Sequence, residues 1–191
     1  MKKVLLILAV ILSVAYTSSA QTFKKGAQVA SAGGGYSDKY GFPISIEYER
    51  GIIDINEKSS IGIGGYVAYA SKHQGIEYKS VDCGLFNNHD IFVAIAGNYH
   101  YTAKPKWDLY GGFRIGYDFR CEVIEWDDDA LQYFMDDEFP KDGDGIAYDV
   151  HVGARYYPLR DSRRYMLRNI AFKAEVGYGI SIASLGLSYK F

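Results

Sequence analysis

Trp107–Arg120, WDLYGGFRIGYDFR, decides the fold. Every second residue belongs to one set: Trp107, Leu109, Gly111, Phe113, Ile115, Tyr117 and Phe119. The residues between them are Asp108, Tyr110, Gly112, Arg114, Gly116, Asp118 and Arg120. A period of two is the signature of a β-strand with unlike faces. The same beat runs outward in both directions. Ile146, Tyr148, Val150, Val152, Ala154 and Tyr156 oppose a face that carries Asp149, His151 and Arg155. Ile91, Val93, Ile95, Gly97, Tyr99 and Tyr101 oppose Ala94, Ala96, Asn98 and His100. Weaker alternation marks Phe42–Glu49, Ile61–Tyr69, Ile170–Tyr178 and Leu185–Phe191, and Phe23–Ala32 is a plausible first strand. That makes eight strands.

The connections sort into two kinds. Gly33–Gly41, Lys72–Asp90 and Cys121–Gly145 read as loops at one end, the last long and acidic. Asp54–Ser59, Ala103–Lys106 and Pro158–Asn169 read as turns at the other, the third of them basic. Composition agrees with an all-β chain: 16% aromatic, 18 Tyr, 21 Gly and only 4 Pro in 191 residues. The hydrophobic fraction of 48% excludes gross disorder. A net charge of −2, from which the leader removes two further cations, gives no basic face for nucleic acid.

The amino end reads as an export signal. Lys2-Lys3 precede an apolar run from Val4 to Ala15, and Ser18-Ser19-Ala20 supplies small residues for cleavage before Gln21. A spanning helix needs about 20 apolar residues, and this run covers only ~18 Å. Residues 1–20 are therefore expected to be a signal peptide, and 21–191 one barrel domain.

The sorting of residue types by height says which face is wet. On the apolar face, Tyr48, Tyr99, Tyr101, Trp107, Tyr156, Tyr189 and Phe191 gather at the turn end. Phe42, Tyr69, Tyr117, Phe119, Tyr148 and Tyr178 gather at the loop end, with aliphatic residues and glycine between. Two aromatic belts around an aliphatic band are what a bilayer selects, whereas a soluble core has no reason to sort by height. The polar face carries Glu47, Glu49, Asp108, Asp118, Asp149 and Glu175 against Arg114, Arg120, Arg155, Lys173 and Lys190. Inside an eight-stranded barrel, just wide enough for side chains to fill, such charges are expected to pair into a plug. The alternative is a selectivity lining in a narrow, porin-like channel. The fold expected is an all-β, eight-stranded antiparallel up-and-down transmembrane β-barrel.

With a leader, eight alternating segments and a terminal Gly186-Leu-Ser-Tyr-Lys-Phe191, the chain resembles the small outer-membrane β-barrel family, which includes the OmpA barrel domain and OmpX. The leader ending at Ala20 before Gln21 is similar to those of Bacteroidetes proteins. The resemblance implies a monomer among outer-membrane lipid and lipopolysaccharide, with both termini periplasmic. It also implies that Tyr189 and Phe191 present an assembly signal to the barrel-assembly machinery. Unlike larger relatives, no cell-wall-binding segment is expected after Phe191.

Other features carry less specific chemistry. Cys83 and Cys121 both fall at the loop end, and in an oxidising compartment a bridge would close a 39-residue segment worth ~3–4 kcal/mol. Between Glu122 and Asp144 lie ten carboxylates, opposed only by Lys141. Asp142 and Asp144 are weak candidates for a divalent cation, since the other ligands of a calcium loop are missing. Trp126, Tyr133, Phe134 and Phe139 in that acidic setting suggest a contact surface for an extracellular protein or other surface ligand. Some barrels of the resembling family modify lipid A; His73, His89, Ser80 and Asp82 share one loop, but no nucleophile motif supports an enzyme. Arg160, Arg163, Arg164 and Arg168 make a basic turn, either solvated or touching phosphate. No cofactor is implied. The expected role is structural or surface-interactive, through the long outer loops.

Overall fold

The computed structural model describes the backbone over residues 22–78, 81–126 and 144–191, and side chains over 22–72, 87–121 and 144–191. Eight strands follow in order: β1 (Gln28–Tyr36), β2 (Ile44–Asn56), β3 (Ser59–Tyr78), β4 (Val81–Lys104), β5 (Trp107–Trp126), β6 (Gly145–Tyr156), β7 (Ile170–Tyr178) and β8 (Ala183–Lys190). Each pairs antiparallel with its neighbour, and β1 closes on β8 with Ala32 opposite Leu187. Closure leaves no sheet edge within the barrel wall, the condition a sheet must meet to cross lipid. A short helix, α1 (Tyr165–Arg168), sits in the β6–β7 connection.

The wall is inverted relative to a soluble protein. Ile146, Leu185 and Ile95 are 79%, 72% and 66% exposed on the outside, while Glu49, Asp108 and Arg155 are fully buried inside. Apolar out and charged in, around a closed ring of eight strands, is a transmembrane barrel.

Four strands depart from expectation. β1 starts five residues later than Phe23, and Gly33-Gly34-Gly35 lies in the strand rather than in a loop. A Cβ on Gly33 would come 2.5 Å from the Leu185 carbonyl oxygen, so the glycines mark a close β1–β8 seam. β3, β4 and β5 are 20, 24 and 20 residues long, against the roughly 9–11 a spanning strand needs. Most of the expected Lys72–Asp90 loop is thus a hairpin. Its alternation in sequence is weak, with charged, polar and apolar residues mixed at both parities from Lys72 to Asp90.

Candidate functional site: a layered lumen and a projecting sheet

The inward phase of each strand places one polar residue every two positions, and tilt brings residues of different strands to one height. At the bottom, Arg155 of β6 donates to Glu49 of β2 at 2.7 Å and to Asp108 of β5 at 3.4 Å. His100 of β4 lies between the same two acids, Nε2 2.7 Å from Glu49 and Nδ1 3.0 Å from Asp108. Phe23 closes this layer from below, its ring stacked on His100 with centroids 3.9 Å apart. The backbone around it is pinned: Ser60 donates to the Phe23 carbonyl, the Thr22 amide to Thr102, and Lys190 to the Thr22 carbonyl.

The middle layer centres on Arg114. Its guanidinium donates to Asp149 at 2.7 Å, to Glu175 at 2.8 Å and to Glu47 at 3.1 Å, and lies over the Tyr66 ring. Lys173 bridges Glu47 and Glu175, and Tyr110 donates to Glu175 at 2.9 Å. Tyr110 fits only because residue 153 has no side chain; a Cβ there would stand 2.7 Å from its ring. Asn98 joins the two layers. Its amide nitrogen donates to Glu49 at 3.0 Å while its oxygen accepts from His151, whose other nitrogen is 2.9 Å from Asp149.

Hydrogen-bond accounting assigns the charge. Each nitrogen of His100 faces a carboxylate, Nε2 that of Glu49 and Nδ1 that of Asp108. An imidazole donating at both nitrogens is the cation. Glu47, Glu49, Asp108, Asp149 and Glu175 face Arg114, Arg155, Lys173 and His100, with His151 between Asp149 and Asn98. Burial of five acids is tolerable only on those terms.

Above the middle layer the lumen turns apolar. Tyr40, Tyr66, Ala68, Ala70, Phe92, Ala94 and Ile180 form one buried cluster. A separate charged group follows at the mouth: Arg120 contacts Asp90 at 2.7 Å and Asp118 at 3.4 Å, and Tyr40 donates to Asp118 at 3.0 Å. The Tyr40 hydroxyl, outside the spanning strands, has its pKa raised first by burial and then by the Asp118 carboxylate.

The residues singled out in sequence therefore divide. Glu47, Glu49, Asp108, Arg114, Asp149, Arg155, Lys173 and Glu175 come together. Asp118 and Arg120 form the upper group instead. Lys190 joins neither; its ammonium is 3.0 Å from the Thr22 carbonyl. Sequence reading left Asp90 and Tyr40 in loops and gave Asn98 and Phe23 no role. Asp90 was findable, since it continues the inward phase of Phe92, Ala94, Ala96, Asn98 and His100. Tyr40 and Phe23 enter the lumen from outside the strands, where no periodicity marks them.

At the other end, β3, β4 and β5 continue past their neighbours. The β2–β3 ladder stops at Ile44 opposite Tyr69, and the β5–β6 ladder stops at Asp118 opposite Gly145. The β3–β4 and β4–β5 ladders run on to Tyr78 opposite Val81 and to Gly84 opposite Trp126. The result is a three-stranded sheet standing ~25 Å beyond the barrel, at ~3.3 Å per residue.

This register corrects the expected disulfide. Cys121 lies opposite His89 and is a free, exposed thiol. The side chain of Cys83 is outside the described residues, but its backbone is six residues along β4 from His89, ~20 Å at strand rise. A bridge needs Cα atoms within about 7 Å. Asp144 accepts a hydrogen bond from the Arg120 amide at 2.8 Å. Asp142, Tyr133, Phe134, Phe139 and the Trp126 side chain lie outside the described residues, as does the leader. Tyr189 and Phe191 pack edge to face at 5.1 Å, with Phe191 exposed on the outer wall.

No family model and no curated protein matches the chain. Among solved structures, it is similar to Ail, the attachment invasion locus protein of Yersinia pestis, with 13% identity and a TM-score of 0.44 over 87% of this chain and 99% of that one. The same protein in complex with the heparin analogue sucrose octasulfate gives 14% and 0.45 over the same shares. A de novo designed transmembrane β-barrel gives 15% and 0.44 over 90% of this chain and 100% of the design.

Proposed function

We propose that the protein is an outer-membrane barrel whose role is to present the β3–β5 sheet to an extracellular partner, with the lumen serving as a structural plug. In this reading the leader is removed after Ala20, both termini are periplasmic and the barrel is a monomer. The observation that carries it is the ending of both flanking ladders while the three central strands continue. A strand edge beyond its last partner offers backbone donors and acceptors for an added strand. The acidic, aromatic segment 127–143 begins where β5 ends, so a partner bound along that edge would meet it.

The test uses the mature chain folded in detergent, with folding verified by a boiling-dependent gel shift. It is offered an array of extended, strand-forming peptides. Capture is expected, and is lost on deleting 130–140 or on placing proline at Gly75 and Glu125, with the gel shift retained. Capture that survives all of these changes defeats the reading.

A further inference from the structure

The turn end of the barrel carries a feature that neither the lumen nor the projecting sheet uses. The β4–β5 turn and the β6–β7 connection meet there as one surface. Lys106 reaches Asp161 at 2.6 Å and the Pro158 carbonyl at 3.5 Å, and Arg160 donates back to the Pro105 carbonyl. Beyond Arg160 the connection runs Arg163-Arg164 into α1 and ends it with Arg168. Arg163, Arg164 and Arg168 are all exposed, and no ion pair to a described residue is recorded for any of them. Asp161, in the same connection, pairs with Lys106. Burial holds the Arg160 pKa below its ordinary value, with Tyr157 and Asp161 opposing and Arg168 adding the smallest push downward.

Cations alone would indicate a solvated turn. Here they alternate with exposed apolar side chains, and the Arg168 guanidinium lies over the Tyr165 ring, 5.3 Å from its centroid. Met166 is 69% exposed, Tyr165 59% and Leu159 47%. Arginines interleaved with exposed apolar groups are the composition of a segment that lies in a headgroup layer. Its depth agrees, because the connection leaves the wall directly below Trp107 and Tyr156, whose rings pack 4.6 Å apart in the lower aromatic belt. The opposite end, with its run of carboxylates from Glu122 to Asp144, has the reverse charge.

We infer that Arg163, Arg164 and Arg168 form a binding site for anionic phospholipid headgroups of the leaflet at the turn end, with Leu159, Tyr165 and Met166 inserted beside them. The guanidinium forks take the phosphate oxygens and the apolar side chains reach the acyl boundary. A soluble acidic partner would satisfy the arginines and leave Met166 and Tyr165 in water. The inference rests on the transmembrane barrel and is independent of what the projecting sheet binds.

The full mature chain is extracted from mixed vesicles of phosphatidylcholine and phosphatidylglycerol, and the lipids retained are weighed by native mass spectrometry. The wild type is expected to retain phosphatidylglycerol over phosphatidylcholine. A cation near a charged bilayer is worth about fivefold, so R163E/R164E/R168E is expected to lower that preference about 20-fold or more. The milder R163Q/R164Q/R168Q serves if the reversal fails to fold by gel shift. Reversal of Lys39 and Lys72 at the loop end leaves the preference intact, and inorganic phosphate does not displace the lipid. Equal retention of both lipids by the folded wild type overturns the proposal, as does a preference the arginine variants do not change or the loop-end variant lowers equally. Displacement by inorganic phosphate alone would reassign the site to free anion and overturn the lipid.

Discussion

The lower and upper halves of the lumen are built from the same eight strands and solve opposite problems. Below, five acids, two arginines and a lysine share with His100 and His151 a space closed by Phe23, and each is held by a partner on another strand. Above, aromatic and alanine side chains fill the bore, and among the described residues charge returns at the mouth, where Arg120 meets Asp90 and Asp118. In the lower half the side chains of Arg155, Glu49 and Asp108 have no exposed surface, so their charges must be offset by one another and by their neighbours. At the mouth the side chains of Arg120, Asp90 and Asp118 are less than a tenth exposed, but none is wholly closed off as Arg155 and Glu49 are. Complete closure around Arg155 against near-closure around Arg120 is the difference between the two groups.

The strongest way to break this comparison is Arg155→Met. It removes a cation that is fully buried and leaves Glu49 and Asp108 sharing His100. The expected loss is about 3–5 kcal/mol in urea unfolding from vesicles, the cost of an uncompensated buried charge. Arg120→Met at the mouth should cost about 1 kcal/mol by the same assay. Equal losses would mean that water reaches the lower layer. A sharper probe is Asn98→Leu, which keeps the volume and removes the one side chain bonded to both lower layers. Leaving His151 and Glu49 each short of a partner is expected to cost about 2–3 kcal/mol. It should also abolish coupling between Arg114→Met and Arg155→Met in a double-mutant cycle. Coupling that persists without Asn98 would place the connection elsewhere, with Tyr110 the next candidate, since Arg155 lies over its ring and its hydroxyl meets Glu175.

How much of this was legible in sequence follows from the same physics. Where lipid lies on one side and a filled bore on the other, the two faces select different residues, so Trp107–Arg120 declares both its strand and its orientation. The eight charges of the lower lumen were legible for that reason, and Asp90 only narrowly escaped. Where charged, polar and apolar residues mix at both parities the signal vanishes, so the upper parts of β3 and β4 read as loop. Groups that enter the bore from the side, Phe23 below and Tyr40 above, follow no period. Pairing partners were equally hidden: inward phase says that Asp118 and Arg114 share a face, but strand tilt sends Arg114 to Glu47 on the far wall and Asp118 to Tyr40. The cysteines failed for a related reason, because closeness to the loop end says nothing about register along β4 and β5.

The smallest effect tests the mouth itself. Tyr40 folds in from the β1–β2 loop, is buried, and donates its hydroxyl to Asp118 while Lys39 lies over its ring. Tyr40→Phe keeps the packing and removes one hydrogen bond to a carboxylate, expected to cost about 1 kcal/mol near neutral pH. The pH dependence separates a closed mouth from an open one. Burial and Asp118 raise the Tyr40 pKa above its ordinary value near 10. The native state therefore keeps the phenol proton where the unfolded chain has already released it. The stabilisation is fully present below about pH 10 and drains away as pH rises through the native value. Wild-type unfolding midpoints should thus fall more steeply than those of Tyr40→Phe above about pH 10, and the gap between them should close. Tyrosines common to both chains cancel from the difference. If the gap stays constant across that range, the Tyr40 hydroxyl meets bulk water in the folded state. The upper lumen would then be an open vestibule, and its tolerance of two acids on one arginine would follow from solvation throughout.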